Sequence, residues 1–323
     1  TDNFGEGPYI ETLVFKYIPD MTVLYSQFKS GDIDLIGRQF ITPDNYEDAQ
    51  TLSDREIVLA PAPSVETVYF NLERPQFKEK AVREAIYAAI DKEAIIDALY
   101  YGVPQPTESY MPQRSFYHNP DLPKQSYDPD HAKQLLDEAG WVPGADGIRE
   151  KDGVRLSFTN STTAGNHLRE QTQQFMQQTL AEVGIEMKID NLPAAVIWGD
   201  FWELSQFDTV IVGLVFTIGP DPDVTDRLHS GGIPAQGGRG ANNAQFKNAE
   251  VDELLEKGTE IFDAEQRREI YFRVQEIVRE ELPFMPIFSG NEIRGWKSSI
   301  KGVEPNSNNR AEAWDSGSWY LAE

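Results

Sequence analysis

The sequence predicts an α/β protein of about two domains, and three observations carry the prediction. Strand-like and helix-like patterns alternate through the first hundred residues, as they do in an α/β lobe. Residues 67–102, TVYFNLERPQFKEKAVREAIYAAIDKEAIIDALYYG, pass from a strand through a proline break into two helices. The length, 323 residues, suits about two domains and a sizeable core.

Residues 9–18, YIETLVFKYI, read as a strand. Residues 21–29 read as a short helix stopped by Ser30-Gly31, and 32–36 as a short strand. Thr42-Pro43-Asp44 opens another helix, with Thr42 as cap and proline in the first turn. Residues 57–59 and 65–72 are expected as two strands, parted by Pro61-Ala62-Pro63. Val68 and Phe70 alternate with Tyr69 and Asn71 before Arg74-Pro75 ends the strand. Ala81/Val82, Ala85/Ile86 and Ala89/Ile90 then form one helical stripe. Asp91 caps a second helix, which carries Ala94/Ile95 and Ala98/Leu99 and ends at Gly102.

Residues 103–127 hold five prolines and read as a long irregular segment, either a functional loop or a surface wrap. Asp128-Pro129 opens a helix that runs to Ala139, where Gly140 stops it. Residues 154–160 form a strand. Leu168, Thr172, Phe175/Met176, Thr179/Leu180 and Val183 face one way on a long helix ended by Gly184. A strand at 185–189, a short helix at 196–204 and a buried strand at 209–213 follow. Val251, Leu254, Leu255, Ile261 and Phe262 mark one further helix, and Ile270, Val274, Ile277 and Val278 another. Residues 283–288 return as a strand, and 291–323 finish with Trp296, Trp314 and Trp319.

Composition excludes several functions. A hydrophobic fraction of 40% and a charged fraction of 25% are ordinary for a soluble globular protein. No run approaches the roughly 18 apolar residues of a membrane span, and no secretory leader opens the chain. With 29 basic and 53 acidic residues the net charge is −24, which repels phosphate backbones and anionic membranes. No nucleic-acid partner is therefore expected. The acids are dispersed, which reads as a solvated acidic surface, one that would suit a salty habitat. The absence of cysteine excludes disulfides, thiolate metal sites and cysteine nucleophiles, but does not set the compartment.

Signals for catalysis are weak. His118, His131, His167 and His229 are isolated, with no zinc-motif partner. No nucleophile elbow, P-loop or dinucleotide fingerprint is present. The glycine-rich run at 231–240 lacks the P-loop lysine and reads as a mobile loop. Asp221, Asp223 and Asp226 look superficially like a metal cluster. They lack the glycine and terminal glutamate of a calcium loop, and Asp221 before Pro222 reads as a helix cap. No cofactor and no metal are expected.

Signals for binding are better. Residues 213–219, GLVFTIG, follow a buried strand and precede a capped helix, and open α/β folds bind ligands at the carboxyl ends of strands. This singles out Leu214, Phe216 and Thr217, with Asp221 beyond them. The loop 160–167 leads into a helix N-terminus, which suits anionic groups and brings in Asn166 and His167. Trp198 and Trp202, four apart on one helix, share a face that serves either a cleft or the core.

The series YFN, PQF, VREAIYAAIDKEAII, YG and MP, followed by YDPDHAKQLLDEAGW (127–141), FDTVIVG (207–213), DPDVTDRLHS (221–230), NAEVDELLEKG (248–258) and LPFMPIF (282–288), resembles the extracellular solute-binding proteins of family 5. This is the oligopeptide, dipeptide and nickel-binding class that feeds ABC importers. The resemblance covers nearly the whole chain from about Pro8 onward. It implies a periplasmic-binding-protein-like fold of two lobes (type II, oligopeptide class), of which this chain is expected to be the C-terminal portion, incomplete at its N-terminus. It also implies a division into 1–69 and 288–323 in the first lobe and 70–287 in the second, ligand-binding lobe. The chain is expected to clamp a small solute between lobes, to act as a monomer and not as an enzyme, and to deliver the solute to the transmembrane subunits of an ABC permease. Its expected place is periplasmic, or extracellular and lipid-anchored, with any leader cleaved or lying in a missing part. A hydrolase or isomerase on the same scaffold, a signalling subunit that reports the ligand, and a structural envelope protein are the alternatives. The resemblance places 213–219 on a cleft wall and Asn242 and Asn243 at a polar position near the cleft, with an ordinary surface loop as the plainer reading of the two asparagines. One departure stands out. Peptide-binding members carry an aspartate four residues after the glycine that matches Gly213, and often a tryptophan directly after that glycine. Here those places hold Thr217 and Leu214. The expected ligand therefore presents a neutral or blocked group, such as a sugar, an acylated amine or an opine-like conjugate, where a peptide presents its amine.

Overall fold

The structure, a computed structural model, describes residues 7–215, 221–306 and 313–322, with the side chains of residues 38–40 excepted. It has two compact units. The first takes the chain up to Pro63, Tyr100–Pro104 and the chain from Gly290 on, and the second takes Ser64–Leu99 and Gln105–Ser289. The chain passes between them at 63/64, 99/100, 104/105 and 289/290, where the sequence suggested 69/70 and 287/288.

In the first unit, α1 (Met21–Ser30) starts where the Asp20 carboxylate accepts the Val23 N–H at 2.8 Å, and stops at Gly31 with φ 91°. Its apolar face meets β1 (Leu35–Ile41), with Phe28, Ile36, Ile41, Val103 and Ile293 buried together. A turn of 3₁₀ helix at Pro43–Asn45 leads into α2 (Tyr46–Gln50). Thr42 does not cap it through a backbone N–H. Its hydroxyl instead accepts from the Asn45 side chain at 2.8 Å. The strand expected at 9–18 does not form. No described strand pairs with that stretch, and Val14, Phe15 and Tyr17 stand 71, 78 and 91% exposed. A strand without a ladder partner has nothing to hold its backbone groups.

β2 (Arg55–Phe70) is one continuous strand of 16 residues, not two. Pro61 and Pro63 lie within it without ending it. After it, α3 (Pro75–Lys78), α4 (Lys80–Ala88) and α5 (Lys92–Tyr100) follow, the last capped by Asp91, whose carboxylate accepts the Ala94 N–H at 2.9 Å. Residues 103–127 contain the short β3 (Gln105–Pro106) and then run inward, burying Thr107, Ser109, Tyr110, Met111 and Tyr117. Gln275 ties this stretch down: its Oε1 accepts the Ser109 hydroxyl at 2.6 Å and its Nε2 donates to the Tyr117 carbonyl at 2.7 Å.

α6 (Pro129–Glu138) is capped by Asp128. The strand expected at 154–160 is divided. Its first residues belong to a small antiparallel sheet of β4 (Val142–Pro143), β5 (Arg149–Lys151) and β6 (Val154–Arg155), and the rest is β7 (Ser157–Ser161). Then come α7 (His167–Glu182), β8 (Glu186–Ile189) and a turn of helix, α8 (Ala194–Val196), which passes into a π turn at Ile197–Phe201 kinked at Gly199. β9 (Thr209–Val215), α9 (Thr225–Leu228), α10 (Ala249–Glu260), α11 (Ala264–Glu281) and β10 (Phe284–Lys297) complete the second unit, β10 running on into the first, where it pairs with β1. Phe262 is not on the apolar face of α10. It sits between α10 and α11 and is 98% exposed.

The sheet of the second unit runs β10–β2–β9–β7–β8, with β3 on the outer side of β10. β2 and β9 are antiparallel, while β7 is parallel to both β9 and β8. On one face Val65, Tyr69, Val210, Val212 and Leu214 pack with Tyr271 and Val274 of α11. On the other, the Phe70, Phe77 and Phe158 rings meet at centroid distances of 5.3 and 5.1 Å.

Candidate functional site

Strand parity sets the site. Val210, Val212 and Leu214 face the core, so Ile211, Gly213 and Val215 face the other way. Gly213 lies directly across from Glu66 on β2. The Glu66 carboxylate pairs with the Arg169 guanidinium through two contacts, Nη2 to Oε2 at 3.0 Å and Nε to Oε1. Their side chains are only 10 and 15% exposed. A Cβ on Gly213 would stand 2.7 Å from Glu66 Oε2 and 2.9 Å from Arg169 Nη2, so the ion pair occupies the room that glycine leaves.

Arg169 arrives there because Asn166 starts α7: the Asn166 Oδ1 accepts the Arg169 N–H at 3.2 Å. His167, the first residue of the helix, is exposed, with its ring 3.4 Å from Glu170. Beneath them a buried amide network fixes the strand ends. Asn160 Nδ2 donates to the Thr209 hydroxyl at 2.8 Å, Gln173 Nε2 to Asn160 Oδ1 at 2.9 Å, and Asn191 Nδ2 to Gln173 Oε1 at 2.9 Å. Every member is satisfied, which makes this part of the unit rigid.

Val215 also lines a cavity of about 170 Å³. Met111 and Val224 share its apolar wall, and Asp221, Asp223 and Arg227 its polar rim. Asp221 Oδ1 accepts from Arg267 Nη2 at 2.7 Å, and that guanidinium holds the carboxyl below its usual range. Asp221 does not cap α9, which begins only at Thr225. Asp223 organises that turn, accepting the Thr225 N–H at 2.9 Å and its hydroxyl at 2.6 Å. Among the described residues no cluster of three His, Asp or Glu side chains is arranged to hold a metal.

The residues singled out in the sequence fall into separate places. Asn166 and His167 stand beside the Glu66–Arg169 pair, and Asp221 stands at the cavity. Leu214 is buried in the core on the opposite face of β9. Trp202 is buried too, stacked on Phe207 at 5.7 Å and edge-on to Tyr69 at 5.1 Å, while Trp198 packs on it at 6.0 Å and remains half-exposed. Asn243 is buried and donates to the Trp202 carbonyl at 2.8 Å, and Asn242 holds its loop together by accepting the Phe246 N–H at 3.0 Å and donating to the Phe246 carbonyl at 2.8 Å. Neither asparagine is on a surface loop. The glycine-rich run is tightly built, for a Cβ on Gly240 would lie 2.4 Å from the Asp226 carbonyl. Phe216 and Thr217 lie outside the described residues. Glu66 and Arg169 were missed. The signal for Glu66 was a carboxylate inside the otherwise apolar run SVETVYF, and for Arg169 its place in the first turn after a capping asparagine.

Comparison with known proteins agrees with this architecture. The chain is 29% identical over its whole length to the oligopeptide-binding protein AppA of Bacillus subtilis, of which it spans 58%. The structure of B. subtilis AppA in complex with a nonapeptide superposes with a TM-score of 0.80 at 27% identity, covering 95% of this chain and 59% of that one. NikZ from Campylobacter jejuni, solved with Ni(L-His), shares the fold with a TM-score of 0.80 at 23% identity over 94% of this chain and 60% of its own. The chain thus spans about three-fifths of the length of these relatives. Residues 1–234 match the description "Bacterial extracellular solute-binding proteins, family 5 Middle", and the chain belongs to that family.

Proposed function

We propose that this chain is the larger part of the solute-binding component of an ABC importer, working in the periplasm or outside the cell, and that it binds its solute without making or breaking a bond. The observation that carries the reading is the meeting of the carboxyl ends of β7 and β9 with the N-terminus of α7, where a guanidinium is held nearly buried by Glu66, while Val215 at the end of β9 lines a cavity. Such a place recognises polar groups by preorganised donors, and among the described residues no nucleophile stands beside a base there. The permease as partner, the monomeric state and the partition into 1–69 with 288–323 and 70–287 belong to the same proposal. The expected ligand class also stays with it. With Thr217 where relatives carry an acid, and with Asp221 already engaged by Arg267, a free ammonium would be desolvated without a dedicated carboxylate. A neutral or blocked group, as in a glycoside, an acylated amine or a conjugate, meets no such penalty.

Mass spectrometry of small molecules released from the full-length protein, purified natively, tests the binding reading, and finding a stoichiometric solute is the expected result. A thermal-shift screen of free peptides, N-acetylated peptides and glycosides tests the ligand class. Strong, selective shifts with free-amine peptides would overturn the head-group argument and leave the binding reading standing. Conversion of any candidate ligand would overturn the binding reading itself.

A further inference from the structure

Away from the candidate site a lysine is buried almost completely. Lys92 opens α5, and its side chain is 3% exposed. Its Nζ lies 2.8 Å from Glu108 Oε1, 2.9 Å from the Thr107 carbonyl, 3.0 Å from the Tyr87 hydroxyl and 3.3 Å from the Pro286 carbonyl. An ammonium has three N–H donors, so four partners already exceed its capacity. The other Glu108 oxygen accepts from the Tyr87 hydroxyl and from Arg279 Nε, the latter at 3.1 Å. Arg279 also stands 4.4 Å over the Tyr87 ring and donates to the Pro123 carbonyl at 3.1 Å. The groups that act on the amine are therefore Tyr87 of α4, Glu108, Arg279 of α11, and Glu93 of its own helix.

The two carbonyls matter by their position. Thr107 directly follows β3, and Pro286 lies in β10, whose Phe288 and Ser289 are in register with Pro106 and Gln105. The Thr107 N–H reaches the Ile287 carbonyl at 3.4 Å, a long bond. Two of the four crossings between the units, 104/105 and 289/290, are a few residues away. One amine thus ties together the roots of two of the four crossings.

We infer that Lys92 is a protonation-operated latch on these two segments: charged, it holds Thr107 and Pro286 together, and neutral, it lets β10 slacken against β3. In the charged form the Pro286 carbonyl, the longest contact, shares an N–H with a nearer acceptor; loss of one proton leaves two N–H donors, which Glu108 and Thr107 at 2.8 and 2.9 Å keep, and the Pro286 carbonyl is left without a share. Glu108 is not stranded by the change, because Arg279 and the Tyr87 hydroxyl still face it. Burial draws the amine down to about 8, against the upward pull of Glu108, so the latch opens in mildly alkaline medium. Global melting is the wrong readout. A buried amine with a folded value below its unfolded one adds stability as pH rises from about 8 toward about 10.4, even while the local contact is lost.

Hydrogen exchange followed by mass spectrometry on the intact protein reads the latch directly. Peptides covering 105–109 and 284–290 are compared with peptides from β9 between pH 7 and 9.5, after correction for intrinsic base-catalysed exchange. The expected result is a loss of protection of about fivefold in the first two, relative to β9. In Lys92→Arg, which keeps its charge throughout, protection should stay level. In Lys92→Met it should be low already at pH 7. A flat wild-type profile, or an equally steep one in Lys92→Arg, overturns the inference. Should neither variant fold, the wild type decides alone: the midpoint of protection loss must coincide with the titration of the Lys92 ¹³Cε signal, and midpoints more than about one pH unit apart overturn it.

Discussion

Replacing Arg169 by methionine removes the cation that faces Glu66 while keeping much of the side-chain length. The carboxylate is then left in a site where it was 10% exposed, opposite a strand that offers only Gly213. Breaking a buried ion pair from one side costs about 3–5 kcal/mol, and the partial exposure here points to the lower end, about 3 kcal/mol. For a unit of this size that corresponds to a fall in Tm of about 6–12 °C. The double variant Glu66→Gln/Arg169→Met carries no unpaired charge and should recover most of the loss, a coupling of about 2 kcal/mol. Urea unfolding followed by tryptophan emission is suited to the measurement, because Trp202 is buried in the same unit against Tyr69 and Phe207. The two single variants and the double complete a thermodynamic cycle. A deficit below about 1 kcal/mol in Arg169→Met, or simple additivity in the cycle, would refute the claim that Gly213 makes room for a coupled pair.

Gly240→Ala should destabilise the fold by about 1–3 kcal/mol, because the new Cβ meets the Asp226 and Gly232 carbonyls, backbone that cannot swing aside; an unchanged urea midpoint would mean that the loop is loose. Stability should fall as pH drops below about 4, because Lys29, Lys247, Arg155 and Arg267 lower Asp48, Glu73, Asp146 and Asp221, so the unfolded chain binds more protons in that window; a Tm level from pH 6 to 3 would contradict it. With a net charge of −24, raising sodium chloride from low concentration to about 1 M should raise Tm by screening self-repulsion, and a fall in Tm would show that specific ion pairs outweigh the net field.

Helix ends were legible because their chemistry is local. Asp91 and Asp128, read as caps, each accept a backbone N–H three residues on, as do Asp20 and Asn166, which were not expected as caps, and Gly31, Gly102 and Gly140 take positive φ where the helices stop. Features that depend on a distant partner were not legible. Pro61 and Pro63 do not break β2, a strand held from the far side of the sequence by β9, whose Val215 pairs with Ser64. The alternation at 9–18 is a strand pattern without a strand beside it. Phe262 fits the apolar period of α10, yet the helix ends before reaching it. Asp221 has the better local signature for a cap, but Arg267 takes its carboxylate and the helix starts later, at Asp223's turn.

The site shows the same limit most sharply, because one residue of parity separates its candidates. Leu214 and Gly213 are neighbours in a segment that the sequence marks as a strand end. The alternation of Val210, Val212 and Leu214 sends all three into the core with Val65 and Tyr69. A side chain in that row has no access to the opposite face, so whatever the β9 end presents beside α7 must come from the odd-numbered positions. At Gly213 the strand presents no side chain, and the opening is filled from β2 and α7 by Glu66 and Arg169, which lie 103 positions apart. At this point of the strand the polar groups come from β2 and α7, and Gly213 contributes the absence of a Cβ. Trp202 and Asn243 lie off the strand: Asn243 donates to the Trp202 carbonyl, and the Trp202 ring is buried in the core that Leu214 shares.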